Sequence, residues 1–165
     1  MSYQEKRTLF SILSGLLILV AYGVYAYGKY QSGAMVADDL TFWAKTILTF
    51  IGIGIVVNIV GQIVFHILIA IQVATKEKMH DADADDKDIE KSIQNEMVTD
   101  EMDKIIELKS MRTGFFVSGM GFMAGLIVLV LNYSPVVMLN IVFVSFSVGS
   151  LLEGFLQLYY YRKGV

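Results

Sequence analysis

The chain has 165 residues, of which 55% are hydrophobic and 18% charged, with a formal net charge of −3. It is too short for several domains and too apolar for a soluble one, and its acidic balance gives no reason to expect a nucleic-acid partner. It contains no cysteine, which excludes disulfides, thiol catalysis, iron–sulfur clusters and cysteine zinc sites.

Among Asp, Glu, Lys and Arg, residues 8 to 28, 46 to 75 and 113 to 161 contain only Glu153. A spanning helix takes about 20 mainly apolar residues, so these blocks hold four spans, at about 8–28, 41–75, 112–132 and 136–161. Backbone groups in hydrocarbon must be satisfied within their own segment, and four spans are too few for a closed barrel. The expected fold is therefore all-α: a four-helix transmembrane bundle of two helical hairpins in one membrane domain, with residues 76–111 as an acidic connector.

Span 1 follows Lys6 and Arg7, is of full spanning length, and ends in Tyr25-Ala26-Tyr27-Gly28-Lys29 without a small-residue cleavage site. It reads as a retained span and not as a cleaved signal. Arg7-Thr8-Leu9-Phe10 and Arg112-Thr113-Gly114-Phe115 open spans 1 and 3 alike, a faint trace of tandem hairpins. In span 2, the uncharged stretch 46–75 exceeds the thickness of the hydrocarbon core, so the helix tilts or projects. Lys76-Glu77-Lys78 keeps a helix-compatible composition, which favours projection up to the break at Asp81-Ala82-Asp83-Ala84-Asp85-Asp86.

Residues 76–112 hold twelve of the sixteen acidic residues. Asp81, Asp83 and Asp85 imitate the opening of an EF-hand loop, but position six is Asp86 where Gly is needed, and position twelve is Ser92 where a bidentate Glu is needed. No metal site is expected, and the run reads as solvated charge. Ile89, Ile93 and Met97 recur every four residues and form an apolar stripe. That stripe is a candidate partner-binding surface, against which stands packing on the membrane face or on span 2. Asp100 or Thr99 can cap a helix, with Asp103 in its first turn, so span 3 is expected to start near Asp100.

Small residues at helical spacing mark close helix contacts: Gly121-x-x-x-Gly125, Gly114-x-x-x-Ser118 and Ser150-x-x-x-Gly154. They serve packing within the bundle or a homodimer. Asn132-Tyr133-Ser134-Pro135 marks the turn between spans 3 and 4.

The polar residues of the spans fall on two faces: Asn58, Gln62 and His66 step by four, as do Glu153 and Gln157. Counted from Lys45 and from Pro135, Gln62 lies 17 residues in and Glu153 lies 18. At about 1.5 Å per residue these depths match, so the two faces are expected to meet, with Glu153 near Gln62 or His66. An ionisable group in a span marks function by default. The discount is that Glu153 stands nine residues before Arg162, within reach of the interface or of Lys109 or Arg112. His66 has no second histidine within the spans and no acid to orient it, so neither haem ligation nor a Ser-His-Asp triad is expected. No cofactor and no enzymatic activity are expected.

Lys and Arg flanks stay on the cytoplasmic side. Eleven fall with the two termini and the connector, against Lys29 and Lys45 on the other side. Both termini are thus expected in the cytoplasm. Tyr27, Tyr30, Phe42, Trp43 and Tyr133 fall at the outer interface and Tyr159, Tyr160 and Tyr161 at the inner one, as anchoring belts do.

The segment Asp100-Glu101-Met102-Asp103-Lys104-Ile105-Ile106-Glu107-Leu108-Lys109-Ser110-Met111-Arg112, running into span 3 of four, resembles small uncharacterised prokaryotic four-helix integral membrane proteins with an Asp-Glu-x-Asp stretch before the third span. The resemblance implies a multi-pass protein of the prokaryotic cytoplasmic (inner) membrane and carries over no ligand or catalytic residue. Small multidrug exporters also have four helices, but their essential Glu lies in the first span, where this chain has none. Two functions follow as expectations. The leading one is an interaction or accessory protein acting through its acidic segment on a cytoplasmic or membrane protein partner. The alternative is a small proton- or cation-linked transporter using Glu153 with Gln62 and His66.

Overall fold

The computed structural model describes residues 3–31, 39–80, 86–97 and 100–163. These form five helices: α1 Tyr3–Gln31, α2 Leu40–His80, α3 Asp86–Met97, α4 Glu101–Val130 and α5 Pro135–Lys163, with no strand among the described residues. All but α3 are long and apolar enough to cross a membrane, and the fold is the all-α bundle that the charge pattern implies.

Local chemistry explains the boundaries. Asp39 caps α2, its carboxylate accepting from the Phe42 N–H at 3.0 Å. Asp100 and Asp103 cap α4 reciprocally: the Asp103 N–H donates to the Asp100 side chain at 2.7 Å, and the Asp100 N–H to the Asp103 side chain at 3.1 Å. α4 ends where Asn132 turns left-handed, at φ 61°. There the Tyr133 N–H reaches the Val128 carbonyl at 3.1 Å and the Asn132 N–H reaches Leu129 at 3.0 Å, which satisfies the last carbonyls of the helix. Two residues later Ser134 caps α5, its hydroxyl accepting from the Val136 N–H at 3.2 Å, with Pro135 at the first helical position, where no N–H is needed.

The helices pack in the order α4, α5, α1, α2. α5 packs most extensively on α4 and then on α1, α1 packs on α2, and α2 meets α5 only slightly. The α4–α5 contact is close because small residues face one another. A Cβ on Gly149 would stand 2.7 Å from the Gly114 carbonyl oxygen, and one on Gly121 would overlap Ser145. Gly125 faces Met138, and Gly154 packs against Ile12 of α1. The small-residue spacings therefore serve contacts inside this chain, where close backbone approach replaces the hydrophobic drive that lipid removes.

Two apolar clusters close the ends. At the turn end, Tyr22, Trp43, Ile47, Val136 and Phe143 are buried together, and the Tyr22 hydroxyl donates to Asn140 Oδ1 at 2.6 Å. Trp43 is 7% exposed, so it is core and not a belt anchor as expected. The turn end is narrow enough for α2 to fold its first indole inward. At the connector end, Tyr3, Ile69 and Val73 are buried with Phe65 and Ile93 packed against them, and Ile89 is buried as well. α2 runs on as a helix to His80, as its composition implies, and α3 lies against it.

Candidate functional site

Between the connector-end halves of α1, α2, α4 and α5 lies a polar vestibule of about 200 Å³. α1 contributes Gln4, Arg7, Thr8 and Ser11; α2 contributes Asn58 and Gln62; α4 contributes Asp103 and Glu107; α5 contributes Gln157 and Tyr161. Apart from the adjacent Arg7 and Thr8, the polar residues of each set stand three or four apart and so share one helical face, with Phe10 and Phe65 completing the lining. One cation, Arg7, stands among two carboxylates, Asp103 and Glu107. Tyr161 lines the same space as Asp103 and Glu107, and both carboxylates lie near its phenol. Its neighbours keep anchoring contacts, with Lys109 over the Tyr160 ring at 5.9 Å and Lys163 over Tyr159 at 5.0 Å.

The five polar residues singled out from the sequence divide. Asn58, Gln62 and Gln157 line the vestibule, although the Asn58 side chain donates back to the Gly54 carbonyl at 3.0 Å. Glu153 stands behind it. Gln157 donates to its Oε1 at 3.4 Å and accepts from the Thr8 hydroxyl at 3.2 Å, which makes a line Glu153–Gln157–Thr8 from the α4–α5 interface to the vestibule. His66 lies outside the lining, its Nε2 3.0 Å from the Tyr3 hydroxyl.

The expected meeting of Glu153 with Gln62 or His66 is thus corrected. Its carboxylate packs on Gly114 of α4, where a Cβ would come within 3.2 Å of Oε2. Equal depth places two residues at one level but does not fix which sides of their helices face each other.

The apolar stripe is placed by α3 itself. Ile89 is buried and Ile93 packs on the Tyr3, Ile69 and Val73 cluster, while the Met97 side chain lies outside the described residues, as do Asp81, Asp83 and Asp85. Sequence reasoning missed Arg7, Thr8, Asp103, Glu107 and Tyr161. Their signal was the i, i+4 spacing of Asp103 with Glu107, and of Gln157 with Tyr161, which extends the Glu153 face by a turn.

A second, apolar groove of about 670 Å³ lies between α1, α2 and α5. Ser11 and Asn58 line both spaces. No protein-family model, curated protein or solved structure matches the chain.

Proposed function

We propose that this chain is a small proton- or cation-linked transporter of a cytoplasmic membrane. In this reading the vestibule is the cytoplasm-side solute site, and Glu153 is the group that takes up and releases the coupling ion. The observation that carries the reading is the line Glu153–Gln157–Thr8, which connects a carboxylate inside a span to a polar cavity. An ionisable side chain within a span is costly and marks function by default, while a hydrogen bond between polar groups in a membrane protein returns only roughly 0.6 kcal/mol. Orientation rests on the eleven Lys and Arg residues that share the connector end.

The test is carbodiimide modification of Glu153 in membranes across pH, with Glu153→Gln as control, paired with proton flux in vesicles. Modification that depends on pH, and flux lost in Glu153→Gln with expression intact, are the expected results. A carboxylate that stays unmodified at every pH, with flux equal in the two proteins, overturns the reading.

A second reading, an accessory protein acting through its acidic connector, is supported by the exposed Glu90, Lys91, Gln94 and Asn95 on α3. Capture through Ile89, Ile93 and Met97 would require α3 to leave Tyr3, Ile69 and Val73, so the polar face is the available one. Crosslinking from Gln94→Cys that yields one discrete heteromeric adduct supports this role, and the absence of any adduct ends it.

A further inference from the structure

The vestibule and the groove share Ser11 and Asn58 as lining residues, so together they offer a cleft that is polar at the connector end and apolar beyond those two residues. We infer that this cleft holds a phospholipid with a zwitterionic phosphoethanolamine headgroup, its headgroup in the vestibule and one acyl chain along the groove. The inference deepens the proposed function by naming the class of solute, and it rests on that reading for turnover but not for binding.

Length is the first argument. On α2 the groove lining runs from Ile59 to Ile47, and on α5 from Leu151 to Leu139. At about 1.5 Å per residue each run is about 18 Å, more than half of a hydrocarbon core of about 30 Å, which is long enough to receive most of one acyl chain. Its walls, including Ile18, Phe50, Ile55, Phe143 and Phe146, are mainly apolar and suit an acyl chain.

Charge is the second. Arg7 offers a planar fork suited to a phosphate, with the Gln62 and Gln157 amides beside it. Asp103 and Glu107, lining the same space, offer acceptors to the ammonium group of the same headgroup. One cation with two carboxylates disfavours a purely anionic headgroup, which would meet uncompensated repulsion. A choline headgroup carries the positive charge but no N–H, so it cannot donate to the carboxylates. Ethanolamine satisfies both signs and the donor requirement. The site also lies at the level where span 1 leaves the apolar core, beside Arg7 and Thr8, which is the depth of a headgroup.

The experiment is retention of palmitoyl-oleoyl phospholipids by the purified full-length protein, read by native mass spectrometry, with ethanolamine, choline and glycerol headgroups in equimolar competition. The ethanolamine lipid is expected to be favoured by at least about tenfold, equivalent to about 1.4 kcal/mol. Arg7→Gln and Glu107→Gln should each remove the preference while leaving the helices intact. Gly54→Phe, which projects into the groove toward Ile18, should lower retention of all three lipids. Gly52→Phe, at a position outside the groove lining where a Cβ meets nothing within 4 Å, should not. Equal retention of the three headgroups by the native chain overturns the inference, as does equal behaviour of the two Phe variants. Proton flux that depends on Glu153 without headgroup preference would leave the transport reading standing and remove the lipid. Headgroup preference without flux would do the reverse.

Discussion

Gly114 and Gly149 meet backbone to backbone: a Cβ on Gly149 would stand 2.7 Å from the Gly114 carbonyl oxygen and 2.6 Å from the Ser118 hydroxyl. The obstacle on the Gly114 side is main chain, which cannot rotate away. Gly149→Val is therefore expected to splay α4 from α5 and to destabilise the protein by about 1–3 kcal/mol, the range for overpacking. Thermal unfolding in detergent should show a lower midpoint. Gly23→Ala, at a position where a Cβ meets nothing within 4 Å, should leave that midpoint nearly unchanged.

Tyr22→Phe removes the hydroxyl that ties α1 to Asn140 at the turn end. Hydrogen bonds between membrane helices average about 0.6 kcal/mol, and the phenyl ring keeps its contacts with Phe50 and Phe143. A small loss of that order is expected in reversible unfolding. Asn140→Ala in the same background should then add little through the shared bond, which a double-mutant cycle measures.

Asp100→Ala removes the carboxylate that receives the Asp103 N–H. A lost cap costs about 1 kcal/mol, and here the effect is local. Hydrogen exchange at the N–H groups of residues 101–104 should accelerate, while exchange in the middle of α4 stays slow.

The docking of α3 is accessible to labelling because the chain has no native cysteine. Ile69 is 6% exposed under the Tyr3 and Ile93 cluster, so a thiol in Ile69→Cys should react slowly with a water-soluble maleimide. Adding Ile93→Asp places a charge in that cluster and should raise the labelling rate at least about tenfold, as α3 is released by the cost of an unpaired buried charge. An unchanged rate would show that α3 does not cover α2.

The four spans, the turn at Asn132 and the cap at Asp100 were legible in the sequence because each follows from the chemistry of neighbouring residues. Hydrophobic length, an Asn-Tyr-Ser-Pro break and an Asp-x-x-Asp pair need no tertiary information. The partner of Glu153 was not legible in the same way. Counting residues gives depth, but which helix stands beside α5 is decided by packing, and Gly114 with Gly149 decides it in favour of α4. The small-residue spacing that marked Gly114 and Ser118 already held that answer, had it been read as placing Glu153 against α4. Tyr161 was obscure for a related reason. Three consecutive tyrosines at a helix end look alike in sequence, and only the approach of Asp103 distinguishes the third.

α2 carries more apolar length than a bilayer core accommodates, and α3 covers part of the surplus by lying on Ile69 and Val73 while Leu68 and Ile71 stay exposed. With Ile69 and Val73 buried beside Tyr3 and Ile93, α2 can carry its surplus apolar length without presenting those two side chains to water: the short helix roofs the part of the long one that outruns the bilayer.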